Sequence, residues 1–234
     1  MKPLNITGFT IVETMLFLGI SGLLAMGILI GSGTSINVQR YRDSVTSLQS
    51  VLQKQYSDVS NVSNDSTTNT CSDATNIPRG QSDCVLLGRF ITSDSKSLLI
   101  KSITGRIPAN SVSTNDLLAL RAYNIQVSPL LSETYDMEWG SSITKVRGDP
   151  MSFSMLVLRS PTSGIIRSFI DPTTAWGDGQ IQGKVLLASK LNESATVCVN
   201  SNGLFTGAKM AVLINANATG ANDIETLGDN SGCH

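Results

Sequence analysis

Residues Gly8–Ile30 read GFTIVETMLFLGISGLLAMGILI, and the rest of the chain is organised around them. From Phe9 to Ile30 there are 22 residues with a few hydroxyls and one charged group, Glu13. A helix rises about 1.5 Å per residue, so this run reaches about 33 Å, enough to cross a bilayer core of about 30 Å. The run starts abruptly after a short polar leader, MKPLNITG. A charge inside a membrane helix costs a few kcal/mol, so Glu13 marks a function beyond anchoring. A secretory signal peptide would have a shorter apolar region and no acid. A lipoprotein signal is excluded because the first cysteine is Cys71.

Gly8, Phe9, Thr10, Ile11, Val12 and Glu13, followed by the long apolar run with Gly22, resemble the class III signal of type IV pilins and pseudopilins. Thr7 stands where that family usually places Lys or Arg, and Ile30 where many members carry Pro. The resemblance implies cleavage after Gly8 by a prepilin peptidase and N-methylation of the new terminus, Phe9. It implies that Glu13 directs assembly by pairing with the N-terminal ammonium of a neighbouring subunit. Within one chain, Phe9 and Glu13 have the i,i+4 spacing of residues one turn apart, and a carboxylate in the first turn suits the helix dipole. The implied partners are other pilins in a homo- and hetero-oligomeric filament, and an assembly ATPase with its membrane platform. The implied locations are the cytoplasmic membrane for the precursor, as a single-pass chain with an exported head, and the cell surface for the assembled filament.

Beyond Ile30 the sequence predicts that the helix continues to Val59, about 75 Å in all if straight. Val38, Tyr41, Val45, Leu48, Leu52 and Tyr56 or Val59 recur at three- and four-residue spacing, the stripe of an amphipathic helix. Gly31-Ser-Gly-Thr-Ser35 is the weak spot where a kink is expected, since Gly disfavours helix. Residues Ser57 to Asp83 are polar and aperiodic, so they read as loop.

The remainder reads as short β runs at Val85–Ile91, Ser97–Ile103, Leu117–Val127, Ser152–Leu158, Ile165–Ile170, Lys184–Ser189, Thr196–Val199 and Lys209–Ile214. Leu117–Val127 is also compatible with a helical start. Ser93–Lys96 and Asn202-Gly203 read as turns. Asn215–His234 reads as a polar tail. No long helix separates the strands, which favours antiparallel meanders. The expected class is α+β. A long N-terminal helix, membrane-spanning in its first half and amphipathic in its second, packs on a disulfide-bonded antiparallel head. The expected organisation is leader 1–8, helix 9–59 with 9–30 transmembrane, and head 60–234.

Composition sets the compartment and narrows the chemistry. The 234 residues carry 15% charged and 5% aromatic side chains with a net charge of −1, which gives no drive toward nucleic acid or anionic lipid. Lys2 precedes the apolar run and Arg40 and Arg42 follow it, so charge leaves the orientation ambiguous. The four cysteines, all beyond the run, place the head in an oxidising compartment. Sequence permits three pairings, of which the most local, Cys71–Cys84 with Cys198–Cys233, is expected. With His234 the one histidine and no CxxC, neither a catalytic triad nor a zinc site is supported. GxxxxGK[ST], GxGxxG and HExxH are absent, so no cofactor and no enzymatic activity are expected. Trp176-Gly-Asp-Gly179 reads as a turn more than a cation loop. Arg89, Lys96, Lys101 and Arg106 fall on one hairpin opposed by Asp94, and a solvated face is favoured over DNA contact.

These readings converge on a major or minor pilin serving surface attachment, twitching motility or DNA uptake, with a host or partner cell surface as one further contact. A pseudopilin of a type II secretion system and a membrane-tethered extracellular binding domain are the alternatives.

Overall fold

The computed structural model describes residues 10–61, 84–108, 115–185, 192–203, 206–228 and 231–234, with the side chains of 129–131 set aside. It forms two compact units, Met1–Arg40 and Tyr41–His234. One helix, α1 (Ile11–Ser60), is continuous through Gly31–Ser35, so the expected weak spot does not interrupt the helix. Ser32 and Thr34 donate their hydroxyls back to the carbonyls of Ile28 and Gly31, at 2.7 and 3.0 Å.

In the larger unit, α1 contributes the stripe that the spacing predicts. Tyr41, Val45, Leu48, Leu52, Tyr56 and Val59 are all buried, with Ser44 and Gln55 alongside them. They pack against two antiparallel sheets. The first, in the order β3-β2-β1-β5-β6, comprises β1 (Cys84–Ser93), β2 (Ser97–Arg106), β3 (Gln126–Asp136), β5 (Ser154–Arg159) and β6 (Ile166–Asp171). The second, in the order β4-β7-β8-β9, comprises β4 (Ser142–Thr144), β7 (Ala195–Asn200), β8 (Ala211–Ile214) and β9 (Ile224–Leu227). The fold is therefore α+β, a helix on antiparallel sheets.

Both faces of the first sheet are covered. Ile91, Leu98, Ile100, Met155, Val157 and Ile170 belong to the core shared with α1 and the second sheet. Leu87, Phe90, Ile103, Leu156, Leu158 and Phe169 form a separate core with Leu120, Trp176, Ile181 and Val185. Burial on two faces explains why β5, SMLVLR, lacks the alternation of a half-exposed strand.

Four expectations change. Leu117–Ala122 of the expected Leu117–Val127 run lie in α2 (Asp116–Ala122), the helical start with which that run was also compatible. Asn115 caps it by accepting the amides of Leu117 and Leu118, and good helix formers follow. The strand begins later, at Gln126, and runs on through Asp136 as an edge, where Pro129 is tolerated. Lys184 and Val185 lie in α3 (Ile181–Val185), where Ile181 and Val185, one turn apart, both bury; residues 186–191 lie outside the described ones. The tail contains β9, whose Ile224 reaches the core while Glu225 and Thr226 face out.

The two turns are as read. Asp94 accepts the amides of Lys96 and Ser97 through Oδ1, at 3.0 and 2.8 Å. Asn202 and Gly203 both have positive φ, 50° and 94°, which an Asn-Gly turn accommodates.

Candidate functional site

The unit Met1–Arg40 is built around the N-terminal half of α1, and its chemistry is concentrated at the helix start. Thr10 lies outside the helix and its carbonyl accepts the first helical bond, from the Thr14 amide at 3.2 Å. The Thr10 hydroxyl accepts the Glu13 amide at 3.3 Å. Thr10 is thus the N-cap and Glu13 the third helical residue, the T-x-x-E pattern of a capping box. This pattern is visible in the sequence as Thr10-Ile-Val-Glu13. Gly8 and Phe9, the expected cleavage and methylation positions, lie outside the described residues.

From Ile11 to Ile36 every residue is exposed except the half-buried Ser21. Ile11, Leu23 and Leu29 are 78%, 74% and 73% exposed. The helix passes the length and hydropathy requirements for crossing a membrane, with none of its most apolar window buried. Thr14 donates to the Ile11 carbonyl at 2.9 Å, so its hydroxyl is turned into the backbone as those of Ser32 and Thr34 are. Such back-bonding leaves a lateral surface that is almost wholly hydrocarbon. Glu13 is its one ionisable exception up to Ile30.

Comparison of the chain with family models, with curated proteins and with solved structures finds no match.

The head carries the remaining expected residues. Cys198 and Cys233 form a disulfide with their Cα atoms 5.9 Å apart, joining β7 to the C-terminal segment. The segment is further tied by the His234 amide on the Val146 carbonyl, at 2.9 Å, and by Lys209 Nζ on the His234 carbonyl, at 2.8 Å. Cys84 is disulfide-bonded, and Cys71, its expected partner, lies outside the described residues.

Two of the four hairpin cations, Arg89 and Lys101, have carboxylate partners among the described residues. Arg89 donates to Ser102 at 2.6 Å and faces the Asp58 carboxylate at 3.6 Å. Lys101 donates to both oxygens of Asp178, at 2.9 and 2.7 Å. The Asp178 carboxylate of the Trp-Gly-Asp-Gly turn is therefore engaged by an ammonium. Among the described residues there is no group of three or more His, Cys, Asp or Glu able to hold a metal.

Sequence reasoning missed three polar assemblies. The Tyr41 phenol accepts the Met210 amide at 2.6 Å and donates to the Val199 carbonyl at 2.8 Å. Tyr56 shares a 2.7 Å hydrogen bond with Ser168, whose hydroxyl also donates to the Ala218 carbonyl. Burial raises the pKa of both phenols, that of Tyr56 well above the ordinary range. Asp116 accepts from Ser160 at 2.7 Å and from Arg167 Nη2 at 2.9 Å. The Ser160 and Ser163 hydroxyls and the Arg167 guanidinium lower its pKa to about 2.

Proposed function

We propose that this chain is a structural subunit of a type IV pilin-like filament. One observation carries the reading. Glu13 stands in the first turn of a helix that is otherwise uncharged to Ile30 and that finds no cover within the described chain. In a lone anchor the carboxylate gains only what a helix start offers it, the dipole and the capping pattern, while its charge opposes insertion. A helix that leaves lipid to pack among copies of itself gains a partner for it. In this reading the precursor sits in the cytoplasmic membrane, a prepilin peptidase cuts after Gly8, and Phe9 becomes the methylated terminus. The Phe9 ammonium of one copy then meets Glu13 of the next, in a medium where neither charge is well solvated. The assembly ATPase and platform drive extrusion, and the head is the part presented to other surfaces. The role is structural and not catalytic.

The test has two parts. N-terminal sequencing and intact mass of sheared surface material should find Phe9 first, with a methyl group; retention of Met1, or a terminus near Thr34, overturns the reading. Glu13→Ala should insert and be processed, yet be lost from the sheared fraction, because a charge left without its buried partner costs roughly 3–5 kcal/mol per contact. Equal recovery of mutant and wild type in filaments would show that Glu13 does not direct assembly.

A further inference from the structure

Two turns of the head share one backbone shape and differ in the residue they place on it. They lie at the same end of the second sheet, where Ser142 of β4 pairs with Asn200 of β7. Trp139 and Gly140, just before β4, have φ of 55° and 68°; Asn202 and Gly203, just after β7, have φ of 50° and 94°. Two successive positive φ values are those of a type I′ turn, for which Asn-Gly is the favoured pair. The turns touch, since Asn202 donates from Nδ2 to the Gly140 carbonyl at 2.7 Å and accepts the Ser142 hydroxyl through Oδ1 at 3.2 Å. Trp139 is the anomaly. A bulky residue at positive φ carries strain that Asn and Gly largely escape. Burial does not offset it, because Trp139 is 50% exposed. The flanks pin the turn in place: Met137 and Ser141 are buried, the Met137 amide donates to the Lys96 carbonyl at 2.9 Å, and the Ser141 amide donates to the Glu138 carbonyl at 3.1 Å.

We propose that Trp139 is the stacking platform of a binding site for a neutral sugar ring. Single exposed apolar side chains are ordinary, but one held in an unfavourable backbone points to a use for what it presents. The groups beside the ring select the ligand. Glu138 gives Oε1 to the Ser47 hydroxyl at 2.8 Å, which leaves Oε2 to accept. Asn202 spends one Nδ2 hydrogen on Gly140, which leaves the other to donate. A pyranose has an apolar face of C–H groups and a rim of hydroxyls, so it meets both the indole and these two polar groups. Its C–H hydrogens suit the negative face of the aromatic ring. A protein partner fits less well, because an interface core is apolar and the side chains hydrogen-bonded about this turn are Ser47, Glu138, Ser142, Asn200 and Asn202. A nucleic-acid base also stacks on aromatic rings, but the Glu138 carboxylate opposes its phosphates. The site lies wholly in the head and does not depend on the filament reading.

The experiment uses the full-length protein in a zwitterionic detergent that has no sugar headgroup. Wild type, Trp139→Asn and Trp139→Tyr are applied to an array of neutral glycans, and the methyl glycosides of the sugars retained are titrated by calorimetry and by saturation-transfer NMR. Asn suits the turn, so the Trp139→Asn head should resist urea at least as well as wild type while its affinity falls about tenfold or more. Trp139→Tyr keeps an aromatic face and should bind more tightly than Trp139→Asn. Saturation should pass from wild type to the ring C–H protons of the sugar and be lost in Trp139→Asn. A set of glycans that wild type binds no better than Trp139→Asn overturns the proposal. So does a less stable head in Trp139→Asn, because the ring would then serve packing within the fold. Binding of an oligothymidylate through Trp139, with no sugar bound, would assign the ring to nucleic acid instead. Self-association of wild type that Trp139→Asn abolishes, again with no sugar bound, would assign it to contact between copies; either result overturns the sugar site.

Discussion

The two halves of α1 are the same secondary structure with opposite surroundings. Between Tyr41 and Val59 the helix buries six large apolar side chains in the head, and its glutamines reach the opposing backbone, as when Gln49 donates to the Ile224 carbonyl at 3.0 Å. Between Ile11 and Ile30 no residue is buried. That half also carries Gly19, Gly22 and Gly27, each costing about 1 kcal/mol of helix propensity relative to Ala in water. Tertiary packing holds the second half helical. The first half has no such packing among the described residues, and in the proposed reading an apolar medium that leaves its backbone no alternative partner takes that place. One helix thus has two independent sources of stability, and substitutions should separate them.

The largest effect is expected from a matched pair of charges. Leu52 is fully buried against the sheets. Leu52→Asp places an uncompensated carboxylate in that core and should cost more than about 4 kcal/mol, a large fraction of the roughly 5–15 kcal/mol that holds a typical domain folded. Leu23→Asp, in the exposed half, should leave head unfolding unchanged and weaken membrane insertion by about 3 kcal/mol. Chemical denaturation in detergent followed by head tryptophan fluorescence, alongside carbonate extraction of membranes, measures both. Loss of head stability in Leu23→Asp would break the division between the halves.

A smaller effect tests how the head holds its half. At the β7–β8 ladder the Val199 amide donates directly to Met210, at 3.0 Å, while the reciprocal position is bridged by the Tyr41 phenol. The helix is therefore stitched into the hydrogen bonding of the second sheet. Tyr41→Phe keeps the ring and removes the bridge, leaving the Met210 amide and the Val199 carbonyl without it. A cost of about 2 kcal/mol is expected, with faster hydrogen exchange at the Met210 amide than at the Val212 amide. Unchanged exchange at Met210 would show that the phenol merely fills space.

Much of this was legible in the chain. The three- and four-residue spacing from Tyr41 to Val59 predicts the buried stripe, because one helix face meets one core. The strands of the first sheet other than β3 were found by their apolar content, but their order was not, since a sheet covered on both faces loses the alternation that would tell which residue faces which core. β9 was hidden because a four-residue edge strand needs only Ile224 to bury and leaves Glu225 and Thr226 looking like tail. The N-cap at Thr10 was in plain view as T-x-x-E. The Asp116 cluster was not, because Ser160 and Arg167 lie 44 and 51 residues away and meet Asp116 only once α2 docks beside the β5–β6 turn.

That cluster gives the smallest expected effect and confines it to one half of the comparison. Asp116 accepts from Ser160, at 2.7 Å, and from two nitrogens of Arg167, Nε at 3.2 Å and Nη2 at 2.9 Å, so its ionised form is favoured in the folded head. Its pKa is lowered to about 2, against about 4 for an unfolded aspartate. A carboxylate with a depressed folded pKa stabilises fully above the unfolded value, and that contribution disappears as pH falls from about 4 toward 2. Solvent reaches Arg167, which is 36% exposed at its side chain, and screening brings the expected contribution down to about 1 kcal/mol. Asp116→Asn should therefore lower head stability by about that amount at pH 6, and the gap between wild type and variant should close by about pH 2. Urea unfolding across this range measures the gap. The half of α1 from Ile11 to Ile30 contributes no residue to the head's Asp116 cluster, so its helical signal in detergent should persist through the window in which the head weakens. A gap that stays constant down to pH 2 would remove Asp116 as its source. Helix loss from the apolar half over the same window would mean that the two halves share their stability after all.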